Sequence, residues 1–201
     1  MTACNPIPLA CCLALAVSST LAFARHDATA EPAAVKVAPA DGQHDFDFEF
    51  GTWKTHVSRR LHPLSGSSNW VELEGTSVVR KLLDGQANLV ELDIAGPSGR
   101  IAGTSLRLYN SEARQWSLNY ASIGAGTFTA PLFGEFRNKR GEFFGQDTLG
   151  GRTILVRFII ACATPDRCRF EQAFSADGGA TWEDNWIATD TRIDERSTTP
   201  R

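Results

Sequence analysis

From Trp53 to Arg192 the chain shows no amphipathic helical stripe of useful length. Apolar and polar residues instead alternate with period two, or collect in short buried runs, the pattern of half-buried strands. The runs are TWKTHVSRRL, WVELEGTSVVRKLL, ANLVELDIA, IAGTSLRLY, QWSLNYASI, PLFGEFR, EFFGQDT, TILVRFIIAC, CRFEQAFS and TWEDNWIATDTR. Turn residues separate them, among them Asp84-Gly85, Gly96-Pro97-Ser98-Gly99, Gly150-Gly151 and Ser175-Ala176-Asp177-Gly178-Gly179. Strands joined by such tight turns form consecutive hairpins. The expectation is an all-β, up-and-down antiparallel β-barrel of about ten strands, because closure removes the exposed edges of so long a meander.

The segments before and after this block differ in composition. Residues 1–24 carry no charged side chain, and Pro8 to Ala24 is an apolar run ending in the small-x-small triplet Ala22-Phe23-Ala24. This reads as a signal peptide cleaved after Ala24, although its n-region lacks Lys and Arg. A lipid anchor through Cys11 or Cys12 is the alternative, but neither follows a Leu-small-small triplet. Residues 25–43 are rich in Ala and Pro and read as a flexible leader. Residues 44–194 hold the barrel domain, and 195–201 a disordered tail. The protein is therefore expected to be exported, periplasmic or secreted, with no membrane span after signal cleavage.

Cys162 and Cys168 flank the turn ATPDR between two strand-like runs. In an exported chain such a pair most simply forms a disulfide. Net charge is −3, with Lys and Arg scattered along the chain, so no nucleic-acid footprint is present. No His, Cys and carboxylate group has zinc spacing, and no Ser-His-acid or Cys-His pairing can be assembled. No metal and no cofactor is expected. Asp45, Asp47 and Glu49 alternate with Phe46, Phe48 and Phe50; the carboxylates are expected on the wet side of a segment whose aromatics plug the barrel.

Pairing Cys162 with Cys168 sets Phe158 opposite Gln172 and Ile160 opposite Phe170. Pairing Ser175 with Trp182 across the next turn sets Gln172 opposite Asn185 and Phe170 opposite Ile187. The inward face then carries Val156, Phe158, Phe170, Phe174 and Ile187 with the two amides. Arg157, Glu171 and Trp186 fall outside, Arg157 and Glu171 as diagonal neighbours.

Phe50-Gly51-Thr52-Trp53 opens the first strand with G-x-W, and Arg192 closes the last. This is similar to the calycin pattern of lipocalins and their relatives. That resemblance implies that the Arg192 guanidinium packs across the Trp53 indole. HDFDFEFGTWKTH, GTSLRLYN, RQWSLNY and QAFSADGGATWEDNWIATDTR together resemble a bacterial family, domain of unknown function 1579, thought to be lipocalin-like. The resemblance spans roughly His44 to Ile193 and brings a fold without an established reaction. Haem-binding barrels of ten strands take a proximal His from late in the chain. Here no His follows His62, which argues against haem.

SADGGATW resembles the Asp-box of sialidases and other β-propellers. A propeller needs several blades of about 40–50 residues each, and a single box sits in this domain. Asp177 and Trp182 are therefore read as turn scaffolding, the carboxylate accepting backbone N–H groups and the indole packing on the next strand.

Gln172 and Asn185 are the candidate ligand contacts. Amides on an apolar inner face must bond each other, water or a ligand, since an unpaired buried polar group costs roughly 1–3 kcal/mol. Trp116 and Tyr120 would supply aromatic wall if they face inward. The expected function is a barrel holding a small apolar or amphipathic molecule. A barrel enzyme (hydrolase, lyase or isomerase) using the same cavity, and a filled barrel serving as an interaction surface, are the alternatives. Catalytic residues and oligomeric state are not legible.

Overall fold

A computed structural model describes residues 41–193. The expected signal peptide, most of the expected leader and the expected tail lie outside the described residues. Ten antiparallel strands close into one barrel. They are β1 Gly51–Arg60, β2 Trp70–Leu82, β3 Ala87–Gly96, β4 Gly99–Asn110, β5 Gln115–Ser122, β6 Leu132–Arg137, β7 Arg140–Leu149, β8 Arg152–Thr164, β9 Arg167–Ser175 and β10 Glu183–Arg192. Each strand pairs with its sequence neighbours, and β1 pairs with β10 to close the ring. All ten expected runs are strands, and the up-and-down, calycin-like order is as expected.

Period-two patterning works because each strand has one face toward the barrel axis. In β1, Trp53, Thr55 and Val57 are buried while Lys54 is exposed. Tight turns hold the strands in register. The β6–β7 hairpin turns on Asn138 and Lys139, both at positive φ (52° and 62°), the backbone handedness that matches strand twist in a two-residue loop. Cys162 and Cys168 face each other across β8–β9 and are joined by a disulfide.

The N-terminal segment closes one end of the barrel. Phe46 packs edge-on against Trp116 and Phe136, with ring centroids 5.0 and 4.8 Å away. The Trp116 indole N–H donates to the Gly42 carbonyl at 2.9 Å, so the last leader residues belong to the packed plug. Arg192 lies 4.1 Å from the Trp53 ring centroid and donates to the carbonyls of Phe48 and Phe50. The Trp53 indole N–H donates to the Glu49 carbonyl. Together these bonds satisfy the carbonyls of Gly42, Phe48, Glu49 and Phe50 in a segment that enters no sheet.

Two expectations are corrected. A β-bulge between Asp184 and Trp186 shifts the β9–β10 register, so Gln172 lies opposite Trp186 and Phe170 opposite Ala188. A one-residue slip exchanges the two faces of a strand, which puts Trp186, not Ile187, on the interior wall. Glu49 is not on a wet face. A 3-10 turn over Asp47–Glu49 breaks the alternation and buries its carboxylate. Arg157 and Glu171 are diagonal neighbours off the cavity wall, as expected: Arg157 lies opposite Ala173 and Glu171 opposite Ile159, with the Arg157 guanidinium 4.8 Å from the Trp182 ring centroid and Glu171 bonded to Arg169.

Candidate functional site

The barrel interior is open. A cavity of about 530 Å³ runs from the plug toward the opposite loops, within the usual range for small-molecule sites. Its waist is apolar, with Val57, Val90, Leu118, Val156, Phe158 and Phe170 on the wall. The exposed side chains of Arg59 and Asp147 mark its solvent end. Tyr120 leans over Gly103 beside this mouth; a Cβ on Gly103 would stand 2.5 Å from the Tyr120 hydroxyl, so only glycine leaves that ring its place. Burial raises the pKa of the Tyr120 phenol, and the nearby Arg59 charge works the other way.

The floor, next to the plug, is polar. Glu49 and Arg107 form a buried ion pair there, with side chains 6% and 4% exposed. Arg107 donates through both terminal nitrogens to the Glu49 carboxylate and stands 4.3 Å from the Phe46 ring centroid. Beside this pair, Asp190 accepts a 2.5 Å hydrogen bond from the Thr55 hydroxyl, which is also 2.7 Å from the Ser77 hydroxyl. Burial pushes the Asp190 carboxyl up to about 6; Glu49 adds to the shift, while the Thr55 bond and Arg107 oppose it. Asn88 faces Arg107 across β3–β4, fully buried, and neither end of its amide has a protein hydrogen-bond partner.

The residues singled out in the sequence divide between wall, plug and turn. Gln172 and Tyr120 line the cavity. Asn185 does not; it sits at the bulge behind Gln172, whose amide N–H donates to its side-chain carbonyl at 2.8 Å. Trp116 is also off the cavity wall, sealed in the plug. Asp177 binds the Thr181 amide and hydroxyl and the Ser175 hydroxyl, which holds its carboxyl down at about 2. Every one of those partners lies within its own turn. Asp190, Glu49, Arg107 and Asn88 are the polar groups that sequence reasoning missed. Among the described residues no group of three or more His, Cys, Asp and Glu is placed to hold a metal ion.

No protein-family model and no curated protein matches the chain. Among solved structures, the S-type phycobiliprotein lyase CPES from Guillardia theta is similar, with a TM-score of 0.51 at 15% identity over 76% of this chain and 93% of that one. The likeness shows a shared barrel fold. A redesigned β-barrel bound to DFHBI matches at a TM-score of 0.41 and 12% identity over 72% of this chain and 99% of its own. A protein of unknown function from the DUF3598 family of Nostoc punctiforme matches at 0.20 and 7% identity over 76% and 99%.

Proposed function

We propose that this protein is an exported binding barrel that holds a small, partly apolar molecule in its interior, and that it belongs with the lipocalin-like domain of unknown function 1579 family. The observation that carries the binding reading is the cavity of about 530 Å³, apolar at the waist and polar at its floor. An unoccupied cavity of that size forfeits packing contacts, a cost that a filled barrel would not bear. The open interior therefore favours a ligand over the filled-barrel alternative. Tyr120 and Gln172 are proposed to touch the ligand, with Asn185 holding the Gln172 amide in place. Export is supported by the disulfide and by the apolar run before Arg25. Among the described residues no helix is long and apolar enough to cross a membrane.

The test is titration with the neutral apolar dye N-phenyl-1-naphthylamine. Saturable fluorescence enhancement at one site per chain is expected. Ser105 lines the cavity between Val90 and Tyr120, so Ser105→Phe should fill the waist and abolish the enhancement while the protein still melts cooperatively. Equal enhancement in wild type and variant, or none in either, would refute the interior site.

A further inference from the structure

The floor of the cavity carries an unbalanced carboxylate, whereas at the mouth the charges of Arg59 and Asp147 offset each other. At the floor, both terminal nitrogens of Arg107 are committed to Glu49. That leaves Asp190, 6% exposed on the cavity wall, with no cation bonded to it among the described residues. Its protein hydrogen bond comes from Thr55 alone among the described residues. The groups facing it are Thr55 and, through it, Ser77 from β1 and β2, Arg107 from β4, Glu49 from the N-terminal segment, and Cys168 opposite it on β9. Glu49 and Arg107 cancel, Cys168 is in its disulfide, and the ionised floor carries one net negative charge. A carboxylate in a low-dielectric site gains most from a bonded cation or N–H donor.

Resting on the interior-binding reading, we propose that the ligand enters head first, with an amine or other cationic N–H head against Asp190 and its apolar body along the waist. The rival geometry follows from Arg59, which has no ion-pair or hydrogen-bond partner among the described residues and lies at the mouth. It would hold an anionic head at the solvent end with the tail inward. Arg59 is exposed, so water and salt screen it. Asp190 is buried, and a pairing there is screened far less.

Displacement of N-phenyl-1-naphthylamine by decylamine, decanol and sodium decanoate separates the two. At pH 7.5 decylamine is expected to compete at roughly tenfold lower concentration than decanoate or decanol, the scale of a charge-assisted hydrogen bond. Asp190→Asn should erase that advantage while leaving decanol within about twofold, since it removes the charge and keeps the shape. Decanoate competing as well as decylamine, or an amine preference that survives Asp190→Asn, would overturn the proposal. If the variant does not fold, wild type alone decides it. Lowering the pH from 7.5 to 4.5 protonates Asp190 while decylamine stays cationic, so the preference over decanol must collapse. A preference unchanged at pH 4.5 rejects the assignment. A dye that never enters the barrel rejects the interior-binding reading itself, whereas dye binding without head-group preference rejects this inference only.

Discussion

The Arg192 guanidinium stands over the Trp53 indole, 4.1 Å from its ring centroid, and ties the last strand to the start of the first. The same guanidinium caps the carbonyls of Phe48 and Phe50, so one side chain closes the barrel seam and anchors the plug. Cation–π contact contributes about 0.5–2 kcal/mol and charge-assisted hydrogen bonds about 1.5–3 kcal/mol. Arg192→Ala is therefore expected to lower stability by roughly 2–4 kcal/mol in urea melts, given that such terms overlap. Arg192→Lys should recover less than half, because an ammonium does not span both carbonyls in one plane. A loss below about 0.5 kcal/mol for Arg192→Ala, the scale of an ordinary surface change, would contradict the anchoring role.

Asp190 gives a pH signature. Its carboxyl is raised from about 3.9 in the unfolded chain to about 6 in the fold. The native state thus holds this proton more tightly than the unfolded state. The associated stability is present below about pH 4 and lost as pH rises through about 6. Asp190→Asn should be more stable than wild type at pH 8 by roughly 1–3 kcal/mol, with the difference shrinking toward pH 4. Denaturant midpoints across this range check it. A variant less stable at pH 8 than at pH 4, relative to wild type, would show that ionised Asp190 is stabilised in the fold.

The sign is opposite at Asp177, whose carboxyl is held down at about 2 by its own turn. Its contribution is present above pH 4 and fades as pH falls through about 2. Asp177→Ala should lower the thermal midpoint at pH 7, with the gap to wild type closing toward pH 2, and should leave dye binding unchanged. Lost binding in a folded Asp177→Ala variant would move the site to this turn.

Gln172 and Asn185 act as a pair. Gln172→Leu removes the donor to a carbonyl in a side chain that is 4% exposed. The single variant should lose roughly 1–2 kcal/mol, and Gln172→Leu combined with Asn185→Leu should regain most of it, since deleting both partners leaves no polar group unsatisfied. Urea melts of the three variants give the coupling energy directly. Additive losses would mean that the two amides do not depend on each other.

The strands and their order were legible because every turn is written in local chemistry, as at Asn138-Lys139 and Gly150-Gly151. The β8–β9 register followed from the Cys162–Cys168 pairing, and Phe158 opposite Gln172 holds in the structure. The floor of the cavity was hidden for three physical reasons. The bulge at Asn185 carries no Gly or Pro to announce it, yet it turns Asp190 from the outer face to the inner one. The 3-10 turn interrupts an alternation that would have kept Glu49 in water. In β4, patterning would bury Leu108 and expose Arg107; the structure leaves Leu108 39% and Arg107 3% exposed, because Glu49 supplies the buried counter-charge. A buried ion pair built from distant segments has no signature in local periodicity.

Native mass spectrometry of protein purified from its own host, beside Ser105→Phe prepared in the same way, tests the central claim most directly. The account predicts that wild type carries the added mass of one small molecule per chain, released on denaturation, and that Ser105→Phe does not. Wild type flying at the bare polypeptide mass, with no uptake of the apolar dye and no difference from Ser105→Phe, would contradict it.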